Sequence, residues 1–265
     1  MISSTSNPRI KAIRKLADSK ERSATNTFLA EGLRVVGQAV DSDVHIQELL
    51  YCEDLLISDY GKSLVEKLKQ NTSVEIIEVS KEVFESLARK DKPQGIAAVI
   101  RQKWADLNDF SSVDRGIWVA LEAVQNPGNL GTVLRTCDAV GAKGLLLLDH
   151  STDPYDPAAV RASMGAIFTK TLVKSTLNDV VNLVNHDNIF SVATSDAASV
   201  YYRELRYHKD MLLVMGSERQ GLPQEVLAKC NEVVKIPMLG SCDSLNLAVA
   251  TGVVLYEILN QVQTG

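Results

Sequence analysis

The sequence has few of the features of secreted, membrane-spanning or metal-binding proteins. Its four cysteines form no C-x-x-C pair, and its four histidines show no spacing typical of metal ligands. We therefore expect reduced, buried thiols and neither a disulfide framework nor a metal site. No apolar run approaches the ~20 residues of a membrane helix, and no apolar segment follows the polar N-terminus as in a secretory signal. These absences predict a cytoplasmic protein.

An overall basic charge is also missing. The formal net charge is −5, while a hydrophobic content of 45% is enough for buried cores. Residues 104–265 hold 12 Lys/Arg against 18 Asp/Glu, whereas residues 1–22 hold six Lys/Arg against two acidic residues. Such a local basic arm can contact phosphates, although a solvated basic helix without a partner has the same composition.

The sequence pattern changes near residue 103, which predicts two domains. Residues 1–103 read as a small α/β module, and the polar residues 104–115 read as a linker. Residues 116–265 alternate amphipathic segments with continuous apolar runs, which are typical of parallel strands covered on both faces. The runs are GIWVALEA (116–123), GLLLLDH (144–150), IFSVATSD (189–196), MLLVMGSE (211–218) and EVVKIPM (232–238). The expected fold class is α/β, with a parallel sheet in the second domain.

Polar and glycine residues follow four of the five predicted strands. They occupy residues 125–131, 194–196, 216–221 and 239–246. Because ligands of open α/β sheets bind beyond the carboxyl ends of the strands, these loops predict one shared site.

The first of these loops opens the segment VQNPGNLGTVLRTCDAVG (124–141). The segment contains neither a phosphate-binding Gly-Lys-Ser/Thr nor the G-x-G-x-x-G of a dinucleotide site. Asn129 is placed to cap the following helix, and Gly131 leaves space beside Arg135. We favour a functional role for Arg135 over a surface ion pair with Asp138.

Three further segments carry candidate residues. MGSERQGLP (215–223) places Glu218 between glycines, and IPMLGSCDSLNLAVATG (236–252) offers Ser244 as a helix N-cap. The small residues of the last helix fit either tight helix packing or a dimer interface. DPYDPAAVRASMGAIF (153–168) either contacts substrate through Arg161 or is only a long crossover.

In their order and spacing, the three segments NPGNLGTVLRTCDAVG, MGSERQGLP and IPMLGSCDSLNLAVA resemble the three motifs of the SpoU (TrmH-type) class of SPOUT RNA methyltransferases. The resemblance covers about 150 residues from Gly116 onward, and NPRIKAIRKL with PQGIAAVI resembles the substrate-binding domain of the ribosomal RNA members. It implies a knotted parallel-sheet methyltransferase domain, S-adenosylmethionine as the cofactor, a homodimer, and transfer of a methyl group to a ribose 2′-hydroxyl, with 23S ribosomal RNA as the expected substrate.

The resemblance also assigns roles to individual residues. Its motif positions make five residues catalytic: Asn129, Arg135, Glu218, Ser244 and Asn246. The residues matching cofactor contacts are Thr194, Gly216, Ile236, Met238 and Leu245. The basic residues expected to contact RNA are Arg9, Lys11, Arg14, Lys15, Arg22, Arg34 and Arg161.

Because arginine keeps its proton in proteins, we expect Arg135 to clamp a phosphate and stabilise alkoxide charge, with Glu218 holding its guanidinium. Three alternatives remain at this stage: a tRNA 2′-O-methyltransferase, a non-catalytic RNA-binding protein on the same fold, and a Rossmann dehydrogenase. The last lacks the triple-glycine turn.

Overall fold

The computed structural model describes residues 1–88, 92–108, 116–186 and 189–264. The chain forms two compact units. The first comprises Met1–Gln102 and Asp153–Thr169, and the second comprises Lys103–Thr152 and Lys170–Gly265. The predicted domains were contiguous, so the inclusion of Asp153–Thr169 in the first unit is new. Residues 109–115 of the predicted linker lie outside the described residues.

The regular elements are numbered in chain order. They are α1 (Pro8–Lys15), α2 (Ser19–Thr25), β1 (Thr27–Glu31), α3 (Leu33–Asp41), β2 (Ile46–Tyr51), α4 (Asp59–Lys69), β3 (Glu75–Glu78), α5 (Lys81–Leu87), β4 (Ile96–Arg101), β5 (Ile117–Glu122), α6 (Pro127–Ala139), β6 (Gly144–Leu148), α7 (Pro157–Ser163), β7 (Thr171–Ser175), α8 (Leu177–His186), β8 (Phe190–Thr194), β9 (Val200–Tyr201), β10 (Met211–Met215), α9 (Gln224–Leu227), β11 (Glu232–Lys235) and α10 (Leu247–Thr264). A short 3₁₀ turn at Ala166–Phe168 follows α7.

The first unit is built on a four-stranded mixed sheet in the order β1-β4-β2-β3. The predicted basic helix exists as α1, which is capped by the Asn7 side chain and buries Ile10 and Ile13, one turn apart, in the core. The sequence analysis missed α2 and β1. The strand TFLAE runs into α3 without a turn residue other than Gly32, whose φ of 99° ends the strand.

Three members of the basic arm are engaged within the first unit. Arg9 pairs with Glu48 and Glu75, and Arg14 donates to the Ser86 hydroxyl at 2.8 Å. Arg22 is only 1% exposed. Its guanidinium lies 2.7 Å from an Asp153 carboxylate oxygen and donates to the carbonyls of residues 16 and 17. Burial therefore removes Arg22 from the set available to RNA. The arm's exposed cations include Lys11 and Lys15.

We expect Arg22→Ala to lower the free energy of unfolding by about 3 kcal/mol, because removing the buried guanidinium leaves a partly buried carboxylate and two carbonyls without their donor. Urea unfolding of the whole chain measures the change. Lys20→Ala removes an exposed charge from the same helix and should change stability by less than ~0.5 kcal/mol. Equal effects of the two substitutions would contradict a structural role for Arg22.

The second unit contains a seven-stranded sheet in the order β7-β6-β5-β10-β8-β11-β9, with every pair parallel. The α/β class and the parallel sheet are confirmed, and each of the five predicted runs contains one strand. The two strands that were missed lie at the edges of the sheet. β9 has only two residues, and β7 (TLVKS) mixes polar with apolar residues, so neither gives a continuous apolar run.

The four cysteines are free thiols, but they are not all buried as expected. Cys52 and Cys137 are buried, Cys230 is half-buried and Cys242 is exposed. Desolvation raises the pKa of the Cys137 thiol to about 12, so this neighbour of the motif helix stays protonated. Within the described part of the chain, no helix is long and apolar enough to cross a membrane.

Candidate active site

Four neighbouring strands, β5, β10, β8 and β11, direct their carboxyl ends toward one edge of the sheet. The predicted convergence of loops occurs there, around a cavity of about 380 Å³. All five residues expected to contact the cofactor line this cavity, together with Glu218 and Ser244. The five are Thr194, Gly216, Ile236, Met238 and Leu245. The sheet order reverses between β5 and β10, which is where open α/β sheets place their ligands.

Asn126, not Asn129, caps helix α6. Its side chain accepts hydrogen bonds from the backbone N–H groups of Gly128 and Asn129, at 2.8 and 3.3 Å. Pro127 occupies the first helical position, where its fixed φ favours the helix and its missing N–H costs nothing. The Asn-Pro pair was the sequence signal for this cap. Asn129 consequently lies in the first turn, where its amide is free to act elsewhere.

The side chains of Glu218, Asn129 and Asn246 form a hydrogen-bonded chain that joins the three sequence motifs. Asn246 Nδ2 donates to Asn129 Oδ1 at 3.0 Å, and Asn129 Nδ2 donates to Glu218 Oε1 at 2.9 Å. Both bonds point toward the carboxylate, so each polarises the next. Asn246 Oδ1 accepts from the N–H groups of Ala248 and Val249, which anchors the chain to the start of α10.

This arrangement corrects the role given to Ser244 as a helix cap. Asn246 caps α10, whereas Ser244 lies in the preceding loop with its hydroxyl 3.4 Å from Asp243 Oδ1. Both residues are polar and precede the same apolar run, so the sequence pattern did not separate them. Ser244 lines the cavity and is exposed, so its hydroxyl is available to a ligand.

Glu218 remains a carboxylate at neutral pH. Partial burial raises its pKa, but hydrogen bonds from the Asn129 side chain and from backbone N–H groups outweigh that effect, and its pKa lies below the ordinary glutamate value. A depressed pKa stabilises the fold above the ordinary value and loses that contribution as the pH falls through the folded-state value. The anionic end of the hydrogen-bonded chain is therefore intact throughout the neutral range.

Two residues that the sequence analysis overlooked hold the loops around Glu218. The backbone N–H of Gln125 donates to Glu218 Oε2 at 3.3 Å. Its side chain donates to the carbonyl of Ala123, a residue held at a positive φ of 44°. Glu122, the last residue of β5, accepts from the Ser217 N–H at 3.2 Å. A carboxylate ending a predicted strand was the available signal for Glu122.

Arg135 lies on the exposed face of α6. Asp138, the alternative partner considered for it, forms an ion pair with Lys170 at 3.2 Å. Among the described residues, the side-chain partner of Glu218 is Asn129, so the expected hold of Glu218 on the Arg135 guanidinium is not seen in this chain. The guanidinium of Arg135 is thus presented outward from the helix that carries Asn129.

The cavity lining suits a cationic cofactor with an apolar body. Met215, Leu222 and Val234 form buried apolar wall, while Asp196 and Asp243 supply carboxylates. The loop carrying Glu218 is tightly folded, because a Cβ on Gly216 would come within 2.3 Å of the Gly221 backbone. No group of three or more His, Cys, Asp or Glu in the part of the chain that the structure describes could hold a metal ion.

A known family accounts for the residues that form this site. The model of the SpoU rRNA Methylase family matches residues 116–256, which contain the whole hydrogen-bonded chain. The chain belongs to the SpoU rRNA methylase family. The preceding residues 7–98 match the MRM3-like substrate binding domain. The predicted family resemblance is confirmed for both parts of the chain.

The similarity to individual relatives covers nearly the full length of this chain. The protein is 30% identical, over 97% of this chain and 98% of the relative, to the 23S rRNA (guanosine(2553)-2'-O)-methyltransferase RlmP of Bacillus subtilis (strain 168). It is 28% identical to the 23S rRNA (uridine(2479)-2'-O)-methyltransferase of Streptomyces viridochromogenes, over 94% and 88% of the two chains. The crystal structure of an AdoMet-bound rRNA methyltransferase from Sinorhizobium meliloti superposes with a TM-score of 0.89 at 35% identity, covering 98% and 97% of the chains.

Proposed function

We propose that this SpoU family member transfers a methyl group from S-adenosylmethionine to a ribose 2′-hydroxyl of 23S ribosomal RNA. The observation that carries the proposal is the chain Glu218–Asn129–Asn246, which fixes the three family motifs beside the cavity. The full-length similarity to two named 23S rRNA 2′-O-methyltransferases supports the substrate. The AdoMet-bound relative supports the cofactor.

The residues of the chain divide the work between binding and charge stabilisation. When bound, S-adenosylmethionine supplies an already electrophilic methyl group, so the protein needs chiefly to position the hydroxyl and to stabilise its developing charge. In this proposal the cofactor is held by residues that line the cavity, namely Thr194, Gly216, Ile236, Met238 and Leu245. Arg135, on the outward face of α6, clamps the neighbouring phosphate.

The direct test is methyl transfer to defined RNAs. The purified chain is incubated with radiolabelled S-adenosylmethionine and unmodified transcripts of 23S rRNA, 16S rRNA or a tRNA pool. We expect incorporation into 23S rRNA, and one phosphodiester bond that becomes resistant to alkaline cleavage because its 2′-oxygen is blocked. Because the two relatives name different nucleotides, that bond identifies the position. Label in tRNA alone would favour the tRNA alternative, and cofactor binding without transfer would favour a non-catalytic RNA-binding protein.

We further propose that the exposed cations of the first unit select the RNA, in particular Lys11, Lys15 and Arg34. Replacing all three by Gln should weaken binding of 23S rRNA by about tenfold or more and reduce the slope of log K against log salt by ~2–3, since each phosphate contact releases counterions. Cofactor affinity should not change. Filter binding at several salt concentrations and calorimetry measure the two quantities.

The matched control removes three lysines from α4 in the same unit, Lys62, Lys67 and Lys69. Lys67 and Lys69 pair with the exposed carboxylates of Asp41 and Glu66, so these substitutions cost little stability. A control variant that loses the same affinity and slope would show that net charge, rather than the α1–α3 surface, attracts the RNA. Substitution tests this better than deletion of residues 1–102, because Asp153–Thr169 belongs to the same unit.

We propose that the protein is a homodimer that associates through α10. Val249 and Tyr256, two turns apart on one face of this helix, are 52% and 54% exposed. Tyr256→Asp should yield a monomer at micromolar concentration, because an interface would bury the new charge. Sedimentation velocity measures the mass, with Gln224→Asp on α9 as a control expected to stay dimeric. A fully active wild-type monomer would contradict the proposal.

Two further expectations from the sequence stay proposals. One is a trefoil knot in the C-terminal segment that contains β11 and α10. The other is a cytoplasmic location, which a ribosomal RNA substrate favours.

A further inference from the structure

The edge of the seven-stranded sheet at β9 carries an exposed tyrosine beside a lysine, with an exposed arginine two residues further along the chain. We propose that this surface, formed by Tyr201, Arg203 and Lys235 and called here the β9 edge, binds a single-stranded part of the RNA substrate. Tyr201 stacks on an unpaired base, while Lys235 and Arg203 contact phosphates. The inference rests on the proposed RNA substrate but adds a contact on the methyltransferase unit that none of the three motifs contains.

Tyr201 and Lys235 are direct neighbours across two parallel strands. The Lys235 ammonium lies 4.9 Å from the centroid of the Tyr201 ring, and Tyr201 is 42% exposed. A ring that is accessible to a base and accompanied by a cation is the combination with which proteins bind single-stranded nucleic acids, because every base offers a face for stacking. Neither Tyr201 nor Lys235 belongs to the buried core, which other residues of the sheet form.

The backbone beneath Tyr201 is held firmly. The N–H of Tyr202 donates to the Lys235 carbonyl at 3.0 Å, and the N–H of Tyr201 donates to Glu204 Oε2 at 2.9 Å. The buried Tyr207 hydroxyl donates to the Tyr202 carbonyl at 2.7 Å. Because these bonds already order the segment, stacking a base on Tyr201 costs little additional ordering.

The cations of the β9 edge are available to an anion. Arg203 is exposed; its Nε donates to the Tyr202 hydroxyl, and its guanidinium lies 5.4 Å from the Tyr202 ring centroid. Within the described residues 116–186 and 189–264, no carboxylate forms an ion pair with Arg203 or Lys235. Residues 104–265 hold 12 Lys/Arg against 18 Asp/Glu, whereas the β9 edge sets two cations against the single carboxylate of Glu204, so it is locally more basic than the domain that carries it.

The β9 edge is continuous with the cofactor cavity. Lys235 belongs to both, and Ser195 and Asp196, which also line the cavity, lead directly into β9. Nucleotides adjacent to a ribose at the cavity mouth can therefore reach Tyr201. Pairing with the sheet edge of a second protein molecule is a poorer fit, because β9 offers only two residues and is flanked by cations.

The test compares binding of a labelled 12-nucleotide oligouridylate and an RNA duplex of the same length, with the full chain saturated by S-adenosylhomocysteine. We expect Tyr201→Ala to weaken oligouridylate binding by roughly tenfold, the scale of one base–aromatic stack, and Tyr201→Phe to retain it. Duplex binding should not respond to Tyr201→Ala, because paired bases cannot stack on the ring. Arg203→Gln should reduce the salt slope for oligouridylate by ~0.7, the value for one single-strand phosphate contact.

Lys229→Gln is the matched control, because it removes an exposed charge from the segment that precedes β11 in the same unit. Unchanged oligouridylate affinity in Tyr201→Ala together with an unchanged salt slope in Arg203→Gln would overturn the proposal. A loss of S-adenosylhomocysteine affinity in Tyr201→Ala, measured by calorimetry, would also overturn it, since the residue would then serve the cavity. If the wild-type chain binds 23S rRNA but not oligouridylate, the proposed role of the β9 edge is contradicted while the proposed substrate stands. If it binds no RNA, both the role of the β9 edge and the proposed substrate are contradicted.

Discussion

Arg135→Ala should reduce the single-turnover rate of methyl transfer by ~10²–10³, the range observed when one electrostatic stabiliser of a transition state is removed. Arg135 is exposed on the helix that begins at the motif loop, with Asn129 in its first turn. Its guanidinium keeps its proton and therefore does not act as a base. Because a guanidinium does not attract a cationic cofactor, cofactor affinity should be nearly unchanged. Quenched-flow measurements with saturating cofactor and 23S rRNA give the rate.

Arg135→Lys provides the internal control for this experiment. Lysine keeps the charge but loses the planar pair of donors that matches a phosphate, so we expect only a partial recovery of the rate. A surface arginine paired along its helix would instead cost under about 0.5 kcal/mol of stability and no activity. Wild-type turnover in Arg135→Ala would therefore exclude a role for this residue in the reaction.

The second large effect is expected at Glu218. Both of its carboxylate oxygens accept a hydrogen bond, one from Asn129 and one from the Gln125 N–H. Glutamine has the same shape but only one acceptor oxygen, so Glu218→Gln must lose one bond and set two donors against each other. We expect a loss of ~10² in methyl transfer, with little change in the free energy of unfolding because the site is exposed.

The same chain predicts that Glu218 and Asn129 act together. Asn129→Ala should give a loss similar to that of Glu218→Gln, and the double variant should be hardly worse than either single one. Glu225→Gln, an exposed carboxylate on α9, serves as the control and should retain full activity. If the two losses multiply, the residues contribute independently and the hydrogen-bonded chain is not a functional unit.

Much of the second unit could be read from residue patterns. Strands covered on both faces leave continuous apolar runs, so the cores of β5, β6, β8, β10 and β11 were predictable. The polar loops after these strands, with their three motifs, indicated the site and the family. These features were predictable because the strands and the loops after them are each encoded by residues adjacent in sequence. The cap at Asn126 was also within reach, since Pro127 follows it.

Other features were decided only by residues distant in sequence. A buried Arg22 and an RNA-binding arginine look alike in a basic helix, and the difference comes from Asp153, 131 positions away. Likewise, Asn129 and Asn246 are joined across 117 positions. The sequence by itself determined that both are polar residues of the family motifs and that the strands form a parallel sheet. Only the order of strands in the sheet brought the loops together, because side-chain pairing depends on which carboxyl ends become neighbours.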